Sequence, residues 1–209
     1  MSTSDSDFSV LSTSWPVAVQ SSRLLLRTAS VDEAVSVRDY FERNSDHLSR
    51  WASPPPLGMA EGGLGWWEQS IQAMNDDYAA GKSLRFFVRL RSAPDQIMGI
   101  RSFTRIRRGQ DCSCTMSGSI DHRHLRRGFM TEAGRAGIRF MFEEMDIHRI
   151  DAEYDEDNPG SPGVLQKLGF VRVGLSPRHR FVNGQWRNHV INALINPDPI
   201  ADPAHVLLR

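Results

Sequence analysis

Two strand-like runs enclosing a basic turn and an amphipathic helix fix the centre of this chain. Ser113 to Ile120 reads as a strand, and Arg149 to Tyr154 as another. Between them lies His124-Leu125-Arg126-Arg127-Gly128-Phe129-Met130-Thr131-Glu132-Ala133, which feeds a helix expected over Thr131 to Met145. Arg135, Arg139 and Glu143 recur at i, i+4 on one side of that helix; Ala133, Ala136, Gly137, Phe140 and Met141 fill the other. That periodicity is helical and one-sided, so the stretch is a βαβ-like unit with a loop that any ligand would meet first.

The flanking segments are of a different kind. Leu84, Phe86, Val88 and Leu90 alternate with Arg85, Phe87, Arg89 and Arg91, the period-two pattern of a half-buried strand. Further strands are expected over about Gln96 to Arg107 and at Ser113, giving an antiparallel meander. Upstream, Arg23 to Thr28 suits a strand, Ser30 suits the N-cap of a helix from Val31 to about Phe41, and a helical turn over His47 to Ala52 ends at Pro54-Pro55-Pro56. Met59 to Gly65 is glycine-rich and expected to be mobile, with a helix from Trp66 to about Ala80. Downstream, a short helix over Ser161 to Leu168 closes at Gly169. Strands then follow at Phe170 to Leu175, Arg178 to Val182 and Gln185 to Ile195, the last two joined by the hairpin dipeptide Asn183-Gly184. The fold class is therefore mixed α/β (α+β). Residues 1–20 read as a flexible lead, 21–196 as a single domain and 197–209 as a proline-containing tail.

Charge excludes some functions. The 25 basic and 25 acidic residues balance, so no overall field favours nucleic acid and an anion site has to be built locally. The serine-rich start carries no basic segment followed by an apolar run, which points away from a leader or membrane anchor and toward a cytoplasmic protein. Cys112 and Cys114 form a C-x-C whose thiols would share one strand face. The seven histidines stand at no recognised metal spacing from them, so packed, reduced thiols and no metal are expected.

The first N–H groups of a helix lack partners and carry roughly half a positive charge, so a loop entering a helix at Thr131 can hold a phosphate. Gly128 would let the backbone approach closely, and Arg126 and Arg127 would add charge. The same residues equally suit a solvated basic turn.

From about Ser22 to Asn196 the chain resembles the GNAT acetyltransferases, and within them the Rim-type ribosomal-protein N-terminal acetyltransferases. The resemblance lies in Ile120 through Ala133, His148-Arg149-Ile150, Asn158-x-x-Ser161, Leu168-Gly169-Phe170 and Gly184-Gln185-Trp186-Arg187-Asn188-His189-Val190. It implies a mostly antiparallel sheet whose central parallel strands splay, flanked by helices, with acetyl-CoA as cosubstrate and no metal. The family's pyrophosphate loop falls on Leu125, Arg126, Arg127, Gly128, Phe129 and Met130, with Ile120 and Thr131 beside it. Leu125 stands where the family has Gln or Arg, and Met130 where it has a small residue.

The resemblance further implies a pantetheine arm running between the edges Ser117 to Ile120 and Ile150 to Tyr154, with Asn158 bonding it. Ser161 becomes the thiol partner or proton donor, because the tyrosine of many family members is Leu165 here. Glu153 matches a general base of a related enzyme, and Trp51, Pro54 to Pro56 and Trp66 would line the acceptor entrance. From the residues alone Asn158 also suits a strand-end turn, Ser161 a plain N-cap, Glu153 a surface carboxylate, and the tryptophans packing. The acceptor would be an α-amine at a protein or peptide N-terminus, for instance of a ribosomal protein, used by a monomer or homodimer without nucleic acid or membrane. A small amine (an antibiotic or aminoacyl nucleotide) and a non-catalytic acetyl-CoA-binding module are the alternatives.

Overall fold

A computed structural model describes residues 8–51 and 63–198. Nine strands form one sheet: β1 (Ser9–Ser12), β2 (Ala18–Gln20), β3 (Leu24–Arg27), β4 (Leu84–Leu90), β5 (Ala93–Arg107), β6 (Ser113–Ile120), β7 (Arg149–Asp155), β8 (Val171–Val182) and β9 (Gln185–Ile195). Their order is β1-β2-β3-β4-β5-β6-β7-β9-β8. Among the described strands only the β6 and β7 pairing is parallel, and α4 (Phe129–Glu143) is its crossover. The βαβ centre in an antiparallel sheet, expected from the sequence, is thus present.

Helices cover both faces. Phe140, Met141 and Ala133 of α4, with Leu165 of α5 (Ser161–Lys167), pack on Phe86, Phe103, Met116, Ile150 and Ala152. Each large side chain removed from water there contributes ~1.5–3 kcal/mol. On the opposite face α1 (Ala34–Arg43) and α3 (Gly63–Ala79) bury Val37, Tyr40, Trp67 and Ile71 against Phe87 and Ile100. A four-residue α2 (Ser45–Leu48) follows α1.

Several expectations change. Residues 9–12 and 18–20, read as part of a flexible lead, are strands β1 and β2 that extend the sheet. Arg89 is not on a wet face but fully buried, because α1 and α3 cover that side. Glu33 makes this tolerable: its carboxylate takes Arg89 at 2.8 Å and Arg27 at 2.6 Å, while capping the Ser30 N–H at 3.0 Å. The first turn after Ser30 is 3-10 rather than α-helical. Gly63 to Gly65, expected to be mobile, open α3, and Pro54 to Pro56 lie outside the described residues. The two runs on either side of Pro177 are one strand, β8, broken by a bulge at which Arg178 has φ 48°. Cys112 precedes β6 at φ 34°, so the cysteines do not alternate on one strand; both are free and buried, and burial pushes the Cys114 thiol up to about 12. Asn183 and Gly184 adopt φ 50° and 78°, the turn their sequence predicts.

Candidate active site

The parallel pairing of β6 and β7 stops early. Ser113 to Met116 pair with Arg149 to Ala152, and beyond that point each strand keeps only its outer neighbour. Ser117 to Ile120 stay on β5 and Glu153 to Asp155 stay on β9, so a V opens with unpaired inner edges. The second edge begins at Glu153, not at Ile150 as expected, since Ile150 to Ala152 are still tied to β6.

The turn before α4 sits at the mouth of this V. Gly128 is the N-cap at φ 78° and Arg126 has φ 60°. α4 starts at Phe129, two residues earlier than expected, so the amides of Phe129, Met130 and Thr131 are the ones without intrahelical acceptors. Leu125, Arg126 and Arg127 are exposed around them. Ile120 ends β6, and Phe129 and Thr131 are buried, contributing backbone rather than side chain. Met130 turns its thioether away from the turn, toward Gly99 and Gly118 of the sheet. Its size therefore does not fill the cradle.

Glu132 holds the turn in place. Its carboxylate accepts from Ser21 Oγ (2.8 Å), Ser22 Oγ (3.1 Å), the Arg23 N–H (2.9 Å) and Arg23 Nε (2.7 Å), and the Arg23 guanidinium lies 4.5 Å over the Phe129 ring. Burial pushes this carboxyl up, but the bonds from Arg23 and Ser21 outweigh it and hold it below the usual glutamate value. Beneath the turn Arg101, 4% exposed, donates to the Met130 carbonyl at 2.7 Å and the Ser117 carbonyl at 3.4 Å. Burial lowers it to about 10. At about 10 it keeps its charge at neutral pH, a buried cation beneath the first turn of α4 that no sequence pattern announced.

Asp121, 0% exposed, anchors the loop leaving β6. It binds Arg43 Nε at 2.8 Å, Arg123 Nη2 at 2.8 Å and the Arg123 N–H at 2.9 Å. Burial opposes its charge, yet these bonds together hold its carboxyl far below the ordinary aspartate range. A depressed folded value means the contribution is complete above the unfolded pKa of about 4 and is lost as pH falls toward the folded one. Asp121→Asn should cost about 2–3 kcal/mol at pH 7, less than a fully enclosed pair because both arginines reach water. Thermal melts of the two proteins should converge as the pH drops below 4; a gap that persists there contradicts the assignment.

On the far wall, Asn158 Oδ1 accepts the Gly160 N–H at 3.0 Å, the strand-end turn the residues suggested, while its amide donors face no partner among the described residues. Ser161 is not the N-cap: Gly160 is, and the Ser161 hydroxyl has no described partner either. Two donors are thus left over beside the V. Leu165 is buried in the core, so no tyrosine-like donor stands there.

Glu153 lies just past the last parallel pair. Ile150 and Ala152 face α4 and α5, so alternation turns Glu153 to the opposite, acceptor face. There it meets Arg180, His179 (2.8 Å) and Arg105 (3.4 Å). Burial raises its carboxyl, but Arg180, the His179 bond and Arg105 prevail and keep it below the ordinary value. A groove of about 630 Å³ runs over Thr115, Asp151, Glu153, Ser176 and His179 on this face. The β8–β9 hairpin reaches across to α2, where Asn183 Nδ2 donates to the Ser49 carbonyl at 2.6 Å. Trp51 is two residues from that contact, whereas Trp66 packs edge-on against Trp67 at 4.8 Å as part of the helix core.

A splayed parallel pair with a helix terminus at its mouth defines a class, and residues 23–171 match the family model of the acetyltransferase (GNAT) domain. The chain belongs to the GNAT acetyltransferase family and is an acyltransferase. It is 30% identical over 184 residues to the [ribosomal protein uS5]-alanine N-acetyltransferase of Escherichia coli (strain K12), covering 87% of this chain and 92% of that one. The ribosomal-protein-S5-alanine acetyltransferase of Vibrio fischeri superposes with a TM-score of 0.81 at 27% identity, over 87% and 98% of the two chains. Mycobacterium smegmatis RimJ in complex with CoA-disulfide gives 0.80 at 22%, over 93% and 94%.

Proposed function

We propose that this protein transfers the acetyl group of acetyl-CoA to the α-amino group of a protein or peptide N-terminus, as the uS5-alanine enzymes do for theirs. The observation that carries this is the V itself: unpaired strand edges at Ser117 to Ile120 and Glu153 to Asp155, with the free amides of Phe129 to Thr131 at its mouth. In this reading those amides with Arg126, Arg127 and Gly128 hold the diphosphate, and Leu125 is replaced as charge donor by its arginine neighbours. The Asn158 amide bonds the pantetheine, and the Ser161 hydroxyl protonates or bonds the departing thiol. Strand-edge N–H groups polarise the thioester carbonyl.

An α-amine suits such a site. Freeing it of its proton at pH 7 costs about 1 kcal/mol for a pKa near 8, against roughly 4–5 kcal/mol for a lysine near 10.4. The amine then attacks directly. Neither cysteine lies at the V, so no acyl-enzyme forms. The contact between Asn183 and Ser49 favours an extended chain end as acceptor, with Trp51 at its entrance.

Incubation with acetyl-CoA and an Ala-initiated peptide should release CoA thiol and place the acetyl group on the terminal nitrogen, located by fragmentation mass spectrometry. The same peptide with a blocked terminus and an internal lysine should stay unmodified at pH 7; preference for a free small amine over both would overturn the reading. Acetyl-CoA at about 100 times Kd should add roughly 2.7 kcal/mol, a thermal shift of about 5–11 °C for a chain of this size. A flat melt would sink the cosubstrate assignment.

A further inference from the structure

The bulge in β8 places three residues, Pro177, Arg178 and His179, opposite Asn188, whose Oδ1 accepts the Arg178 N–H at 2.9 Å. An unbulged strand would send Ser176 and His179 to opposite faces. Here the extra residues return His179 to the side of Ser176 and Glu153, within the groove on the acceptor face. His179 Nε2 is 2.8 Å from Glu153 Oε2, and His179 Nδ1 is 2.9 Å from Ser176 Oγ. A carboxylate only accepts, so Nε2 carries the ring proton and Nδ1 is left as the acceptor of the Ser176 hydroxyl. The three groups form an ordered hydrogen-bonded chain ending in the Ser176 hydroxyl on β8, across β9 from β7, inside the groove that also reaches Thr115, Ala152 and Glu153 beside the V.

We propose that His179, reached through Ser176 and oriented by Glu153, takes up the proton of the attacking amine, and that Glu153 is a positioning residue rather than the base. This rests on the acetyltransferase reading above. Glu153 already neutralises Arg180 and Arg105 while accepting from His179, which leaves a carboxylate with little affinity for another proton. Imidazole is the side-chain type suited to exchanging a proton near neutral pH, and His179 is the imidazole hydrogen-bonded to both Glu153 and Ser176. In the step, the amine nitrogen bonds to the thioester carbonyl carbon and the carbon–sulfur bond breaks. The amine proton passes to Ser176 Oγ as the serine proton moves to Nδ1, and the imidazolium, stabilised by Glu153, releases that proton to solvent; the departing thiolate takes one proton through the Ser161 hydroxyl, which solvent replenishes, so the exchange balances. The groups facing His179 are Glu153 from β7, Arg105 from β5, Arg180 from β8 and His189 from β9, its ring 5.4 Å away and kept neutral-leaning by burial.

The test is the pH dependence of kcat for N-terminal peptide acetylation by wild type, His179→Gln, His179→Ala, Ser176→Ala and Glu153→Gln, with acetyl-CoA affinity measured in parallel. His179→Gln should bind acetyl-CoA within about threefold of wild type yet lose on the order of 100-fold in kcat at pH 7. Its profile should keep the limb set by the amine near 8 and lack the additional imidazole-range limb that wild type shows. Free imidazole should partly restore His179→Ala, which a purely structural histidine would not allow. Glu153→Gln should keep the imidazole-range limb with a smaller loss. A His179→Gln enzyme with an unchanged profile, beside a Glu153→Gln enzyme without the limb, would make Glu153 the base and overturn this proposal alone. A wild-type protein that binds acetyl-CoA but acetylates no terminal amine would overturn the acetyltransferase reading with it.

Discussion

Gly118→Ala should lower the melting temperature by about 5–15 °C and cut kcat/KM for acetyl-CoA more than tenfold. Gly118 lies on the free inner edge of β6, and a Cβ there would stand 2.5 Å from the Ile100 carbonyl oxygen, 3.0 Å from Met130 Cε and 3.1 Å from Arg101 Nη1. The first neighbour is backbone and cannot swing aside, so β5 and β6 have to part just where the V begins. The strain amounts to about 2–4 kcal/mol, in the range of other overpacked core sites. At about 2–4 °C per kcal/mol for a chain this long, this gives the stated shift. Met130 and Arg101 both brace the first turn of α4, so the cradle moves with the strand. Gly174→Ala, with nothing within 4 Å of its Cβ, is the control and should be neutral. Equal melts for the Gly118 and Gly174 variants would refute the tight approach of β5, β6 and α4.

A second large effect is expected at Gly128, where the loss should fall on binding. Its φ of 78° is open to glycine and poorly open to a β-branched residue. Gly128→Val should cost about 1–3 kcal/mol in folding. Because the N-cap peptide leaves its left-handed conformation, the amides of Phe129 and Met130 would no longer converge, and acetyl-CoA affinity should fall on the order of 100-fold, about 2.7 kcal/mol. Gly128→Asn should fall between the two, since asparagine tolerates this conformation better than other side chains. Titration calorimetry decides: a valine variant with an unaltered dissociation constant would mean that the diphosphate is held elsewhere.

The sequence announced the elements whose pattern is local. The β4 alternation, the α4 stripe and the Asn183-Gly184 turn lie almost where they were expected, because period and turn chemistry need no distant partner. Arg89 was misplaced because its burial depends on Glu33, 56 positions away, and on two helices closing over it. β1 and β2 were missed because strands of four and three residues are too short to show a period and gain their order by extending the sheet from the β3 edge. Within the site, the cradle was legible from Gly128 and the helix that follows. The cluster around Glu153 was not: the bulge at 177–179 breaks the alternation locally, and no run of residues states that Arg105, His179 and Arg180 will meet one carboxylate. Glu132 was the detectable omission, an acid in the first turn of the central helix with an electropositive terminus to complement.

The kink in β8 has a second consequence, for solubility. Among the described residues this strand ends the sheet with one side unpaired, and Val171, Val173 and Leu175 are exposed along it at 69%, 60% and 45%. Twelve straight residues of that kind would template fibrils by recruiting a neighbour's strand. The interruption after Ser176, with Arg172, Arg178 and Arg180 spaced through it, leaves no continuous ladder for a second chain to zip onto.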